Sequence, residues 1–181
     1  MSGRSDEWNL TRRQLLVGTA ASFGGMALYP GLLRAGDLYA LPQPTRTALG
    51  ESKLVYVSPL HRDGRESSCH GEVWFFVDGG SVVIATATDG WKVKAVNSGR
   101  DRARLWVGDF GPVKRAGDRL HSAPAFLAGV EIDRDPKLFE KLLAAFGARY
   151  AADSWDKWKL RFETGYADGS RVVLRYTPIG A

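Results

Sequence analysis

The segment Glu72-Val-Trp-Phe-Phe-Val77, Asp78-Gly79-Gly80, Ser81-Val-Val-Ile-Ala-Thr86 constrains the fold of this chain more than any other. Two runs of β-branched and aromatic residues flank a turn whose two glycines supply the positive φ that a tight hairpin needs. The chain must therefore build an antiparallel sheet around this hairpin. Further strands are expected at Lys53–Leu60, closed by Pro59, at Arg104–Gly108, at Ala125–Ile132 and at Ser170–Thr177. In the last of these, Val172, Leu174 and Tyr176 alternate onto one face. His61–Arg65 reads as a turn.

Helices are fewer. Asp135-Pro136 has the signature of a helix start, with Asp at the N-cap and Pro at the first helical position. Leu138, Leu142, Phe146 and Tyr150 follow at steps of four, widened by Phe139 and Leu143, so this helix packs an apolar face on the sheet. Ser154–Phe162 is expected as a further helical piece, with Gly165–Gly169 turning into the last strand. A short helix is expected over Asp89–Asn97, capped by Asp89 and ended by Ser98-Gly99. Short antiparallel strands with packed helices point to a mainly β fold, a small barrel or split barrel.

The N-terminal segment, residues 1–40, is different in kind. Arg4, Arg12 and Arg13 precede a run from Gln14 to Leu33 that carries no charge and is rich in Gly and Ala. A basic start before an apolar stretch is the build of a secretory signal. Leu10-Thr-Arg-Arg-Gln-Leu-Leu16 resembles the twin-arginine signal, which routes folded proteins through the twin-arginine translocation machinery. The expected organisation is a signal over 1–40, a linker over 41–50 containing Pro42 and Pro44, and one domain over 51–181. The expected location is the periplasm or cell envelope. A retained membrane anchor is the rival reading, weakened by Gly18, Gly24, Gly25, Pro30 and Gly31. The lone cysteine, Cys69, forbids an intramolecular disulfide and is expected as a small buried hydrophobe.

Several function classes are unsupported. The 25 Lys and Arg against 20 Asp and Glu give +5, but the charges interleave, as in Arg100-Asp-Arg102 and Asp133-Arg-Asp135, which is not a nucleic-acid footprint. No Rossmann, P-loop or nucleophile-elbow motif is present. Cys69 and His70 are adjacent and would point to opposite faces of a strand, which speaks against a shared zinc ion or a catalytic pair. Trp74, Phe75, Trp91 and Trp106 are expected mainly in the core, with one or two positioned to stack on a planar cofactor.

The block Val73–Val96 resembles the central block of the pyridoxamine 5′-phosphate oxidase-like, FMN-binding split-barrel superfamily. It has a strand with Trp74, a hairpin, a strand ending in Thr86, and a short helix with Lys92 six residues further on. The resemblance spans residues 53–132, and the Asp135 helix and last strand follow in the expected order. It implies an antiparallel split barrel with a packed C-terminal helix, pairing as a homodimer with FMN in the cleft between subunits. It also implies an oxidoreductase acting on a small molecule, with no catalytic residue named. Thr86 and Lys92 would hold the flavin phosphate, and Thr88, Trp91 and His70 complete the candidate set. A strand end followed by a helix start suits that task, because it presents unbonded N–H groups beside a lysine charge. The chain departs from the pattern at Gly90-Trp91, where family oxidases often carry Ser-Arg. It departs again on the preceding strand, where only His70 stands in for an Arg and a Lys. Those departures keep three alternatives open: a deazaflavin, a haem with His70 or His121 on its iron, and an envelope protein that has lost its cofactor.

Overall fold

The computed structural model describes residues 38–180. The expected signal segment lies outside them, apart from a 3-10 turn at Leu38–Ala40. Among the described residues no helix is long and apolar enough to cross a membrane. The chain runs α1 (Gln43–Glu51), β1 (Leu54–Pro59), β2 (Gly71–Trp74), β3 (Phe76–Asp78), β4 (Ser81–Ala87), α2 (Trp91–Asn97), β5 (Arg102–Val107), α3 (Val113–Ala116), β6 (Ala125–Asp133), α4 (Pro136–Arg149), α5 (Trp155–Ala167) and β7 (Arg171–Pro178).

The seven strands form one antiparallel sheet in the order β2-β1-β5-β6-β7-β4-β3. Its two edge strands, β2 and β3, are consecutive in the chain and joined by Phe75 alone. A sheet whose first and last strands share one linking residue must curl back on itself. The barrel is thus nearly closed, by a covalent link where a hydrogen-bonded ladder would otherwise run. The sequence pattern predicts one continuous strand over Glu72–Val77. The structure breaks it at Phe75, because Trp74 pairs with Leu54 of β1 while Phe76 pairs with Val83 of β4. Phe75 is fully buried. Its N–H donates to the Tyr150 hydroxyl at 3.0 Å, and that hydroxyl lies 2.9 Å from both the Phe75 and Lys53 carbonyls, sharing its one proton between them. One phenol at the end of α4 therefore satisfies the backbone at the break.

Strand alternation separates the apolar side chains into an interior and two flanks. Val55, Val57, Val82, Ile84, Leu105, Val107, Leu174 and Tyr176 fill the barrel with Phe75. Their neighbours Val83 and Val173 face outward under α4 and α5, against Leu138, Leu142, Phe146 and Phe162. Tyr56 and Trp106 face the other flank, under Ala116 and Leu120. The expected face of Val172, Leu174 and Tyr176 and the expected apolar face of α4 are both present. Asp135 caps α4 by accepting from Lys137 N at 2.9 Å. The hairpin turn has φ of +55° at Gly79 and +79° at Gly80, as its sequence requires.

Four local expectations are corrected. Residues 41–50, read as linker, contain α1. Leu41 and Leu49 enter the barrel core, and Arg149 donates to the Leu49 carbonyl at 3.1 Å and to that of Ser52. Pro44 fits because the first helical turn needs no N–H donor. α2 starts at Trp91 with Gly90 at its N-cap, so Asp89 does not cap it. α5 runs on to Ala167 through Gly165, where a Cβ would meet Arg171 Cγ at 2.7 Å, so glycine is needed there for close packing. Cys69 is exposed. It precedes β2, in a stretch where no strand alternation directs it into the core.

Candidate functional site

Lys92 lies in the first turn of α2, just after β4, and is only 9% exposed. Its Nζ sits 4.1 Å from the centre of the Trp91 ring and packs on Gly71 at the start of β2. Burial pulls its pKa down to about 8, opposed by the nearby Glu72 carboxylate. Among the described residues Lys92 joins no ion pair. Glu72 is engaged elsewhere, accepting from Val113 N at 3.0 Å. The result is a largely desolvated ammonium that feels Glu72 at a distance but makes no direct ion pair with it, and an incoming anionic group would stabilise it.

Beyond Glu72 opens a cavity of about 430 Å³, within the range of small-molecule sites. Trp74, Phe146, Trp158 and Phe162 supply aromatic wall, and Thr86, Glu72 and Arg171 supply polar groups. Trp74 is held by stacking on Tyr150, with centroids 4.4 Å apart and planes 7° from parallel. Arg171 opens β7 beside Ala87, and its guanidinium lies 5.1 Å from the Phe162 ring. Burial, and then the charge of Arg161, lower its pKa from the usual guanidinium value. Sequence reasoning missed Arg171. Its one signal is its place at the start of β7, which pairs with the Thr86 strand, and pairing partners are not legible without the fold.

The expected site residues are thus only partly gathered. Thr86 lines the aromatic cavity, and Trp91 and Lys92 sit against Gly71, which adjoins the cavity-lining Glu72. Thr88 is directed elsewhere. Its hydroxyl donates to the Gly169 carbonyl at 2.6 Å and its N–H to the Ser170 carbonyl at 2.8 Å, tethering the end of β4 to the turn before β7. It lines a separate cavity of about 370 Å³, shared with Asp133, Arg134 and Arg171. His70 turns to the other flank. Its ring centre is 5.6 Å from that of Trp106 and 6.2 Å from that of His121. Its Nε2 is buried with no hydrogen-bond partner.

No family model matches this chain, and no curated protein matches it. Solved structures do. The haem-storage protein HutZ of Vibrio cholerae superposes with a TM-score of 0.52 at 12% identity, covering 75% of this chain and 88% of that one. The fold is a split barrel. Two further split-barrel neighbours are an FAD-binding protein of Mesorhizobium loti and a Clostridium acetobutylicum protein of the pyridoxinephosphate oxidase family. The first has a TM-score of 0.49 at 11% identity over 75% of this chain and 88% of its own. The second has a TM-score of 0.48 at 16% identity over 74% of this chain and 80% of its own. At such identities the likeness concerns the fold, and the site must be argued from the side chains of this split barrel.

Proposed function

We propose that this split barrel binds a flavin, FMN before a deazaflavin, and serves as an oxidoreductase on a small molecule. The observation that carries the reading is the buried ammonium of Lys92, five residues beyond the end of β4, whose Thr86 walls an aromatic cavity of flavin-compatible size. The residues present fit the group. Lys92 and Thr86 suit a phosphate, Arg171 adds a second cation, and Trp74, Trp158 and Phe162 suit a planar ring. When bound, the flavin supplies the electron transfer. The chain's own residues bind it, orient it and exclude water. No side chain of the site stands out as a general acid or base.

Pairing into a homodimer and export through the twin-arginine route belong to the same proposal. They are supported by the resemblance of Val73–Val96 and by Arg12-Arg13. A second reading, haem binding, is favoured by His70 and His121 lying on one flank. Purification without added cofactor, followed by titration with FMN and with haemin, tests both. A yellow protein that takes up FMN supports the first reading and a Soret band the second. A colourless chain that takes up neither would mean a barrel without a cofactor.

A further inference from the structure

The flank away from the aromatic cavity holds a histidine pair that no part of the flavin reading uses. His70 lies just before β2, and His121 lies just after the 3-10 turn Gly117–Arg119. They lie 51 residues apart in sequence, yet their rings stand edge to face at 87°. Both pack on Trp106, each ring centre 5.6 Å from the indole. Trp106 itself is buried, so it fixes the floor on which the pair meets.

His70 is the unusual member. Its Nε2 is out of contact with solvent and has no hydrogen-bond partner. A buried polar atom in that state needs an explanation, and a bound cation is one. The lone pair of a neutral imidazole is a good ligand for a borderline cation. His121 is exposed, so its ring can turn to share such an ion. Among the described residues no group of three His, Cys, Asp or Glu side chains converges. Magnesium and calcium want oxygen ligands, and neither imidazole offers one. A closed four-ligand structural zinc site is likewise excluded here.

We infer that His70 and His121 form a two-imidazole site for a borderline transition-metal ion, with Cu²⁺ the most tightly held by the ordinary order of affinities. Two protein ligands leave the remaining positions to water or to an outside ligand. The site is independent of the flavin reading, since Lys92 and Thr86 take no part in it.

The test uses the full chain carrying no histidine tag. Cu²⁺ is titrated while tryptophan fluorescence and the Cu²⁺ electron paramagnetic resonance signal are followed. One ion per chain is expected, with nitrogen hyperfine structure and quenching of part of the fluorescence through Trp106. His70→Ala and His121→Gln should each weaken binding at least tenfold. His61→Ala, which removes the remaining histidine of the chain, and Lys92→Met should leave it unchanged. His121→Gln changes an exposed side chain, so it reads the site even if His70→Ala disturbs the fold. Equal Cu²⁺ affinity in wild type and His121→Gln would overturn the inference. So would a haem Soret band that depends on both histidines in a chain that binds no Cu²⁺.

Discussion

Lys92 Nζ lies 3.1 Å from the place a Cβ on Gly71 would occupy, and the Trp91 ring lies 3.0 Å from the same point. The absence of a side chain at residue 71 is what lets α2 lay its lysine and tryptophan on β2. Gly71→Ala should therefore push aside the ends of two side chains and no backbone. Such a displacement is cheap for the fold but moves the ammonium. The expected outcome is a urea midpoint close to wild type and an FMN dissociation constant raised several-fold. An unchanged FMN affinity would detach Gly71 from the site.

The buried ammonium also predicts a pH dependence. In the unfolded chain Lys92 titrates near its ordinary value of 10.5, and in the folded chain near 8. Between these values the unfolded state holds the proton and the folded state does not, so stability rises with pH across that window. Below about 8 both states are protonated and the full burial penalty applies. Urea unfolding at pH 8 and pH 9.5 should show this rise in the apo protein, and Lys92→Met should remove it. FMN affinity should move the other way, falling as pH climbs above 8 and the ammonium is lost. A flat stability profile shared by wild type and Lys92→Met would contradict the assignment.

Tyr150 holds the barrel's closing point. Tyr150→Phe keeps the stack on Trp74 but leaves the Phe75 N–H and carbonyl without their partner. Leaving a buried backbone group unsatisfied costs about 1–3 kcal/mol, so the urea midpoint should fall by that equivalent. The ring that holds Trp74 is retained, so FMN binding should weaken less than it does on loss of Lys92.

Asp135 provides a control remote from the site. Asp135→Ala removes the acceptor that caps α4 and should cost about 1 kcal/mol. FMN affinity should not change.

The sequence pattern carried the fold well where one residue type had one physical job. Gly79-Gly80 had to turn, Asp135-Pro136 had to start a helix, and Val172, Leu174 and Tyr176 had to share a face. It failed where the deciding partner is distant. Nothing in Val73–Val77 tells that Trp74 pairs with Leu54 and Phe76 with Val83, so the break at Phe75 was invisible. α1 was hidden by Pro42 at its N-cap and Pro44 in its first turn, although Leu41 just before it and Leu49 within it are apolar anchors. In the candidate site, Lys92, Trp91 and Thr86 come from the resemblance of Val73–Val96 to the split-barrel block. Arg171 and Gly71 do not, because both matter only through strands and helices that approach in space. Thr88 looked equivalent to Thr86, since residues two apart on a strand share a face, but β4 ends at Ala87 and the Gly169 carbonyl holds Thr88 at another cavity.

The most direct test of the account is FMN titration of wild type and Lys92→Met, with thermal stability of both apo proteins measured alongside. The account predicts saturable uptake by wild type with one FMN per chain. For Lys92→Met it predicts at least a tenfold loss of affinity, together with an apo protein at least as stable, since a buried charge has been replaced by an apolar side chain of similar length. Equal FMN affinity in a folded Lys92→Met protein, or no uptake by wild type, would contradict it.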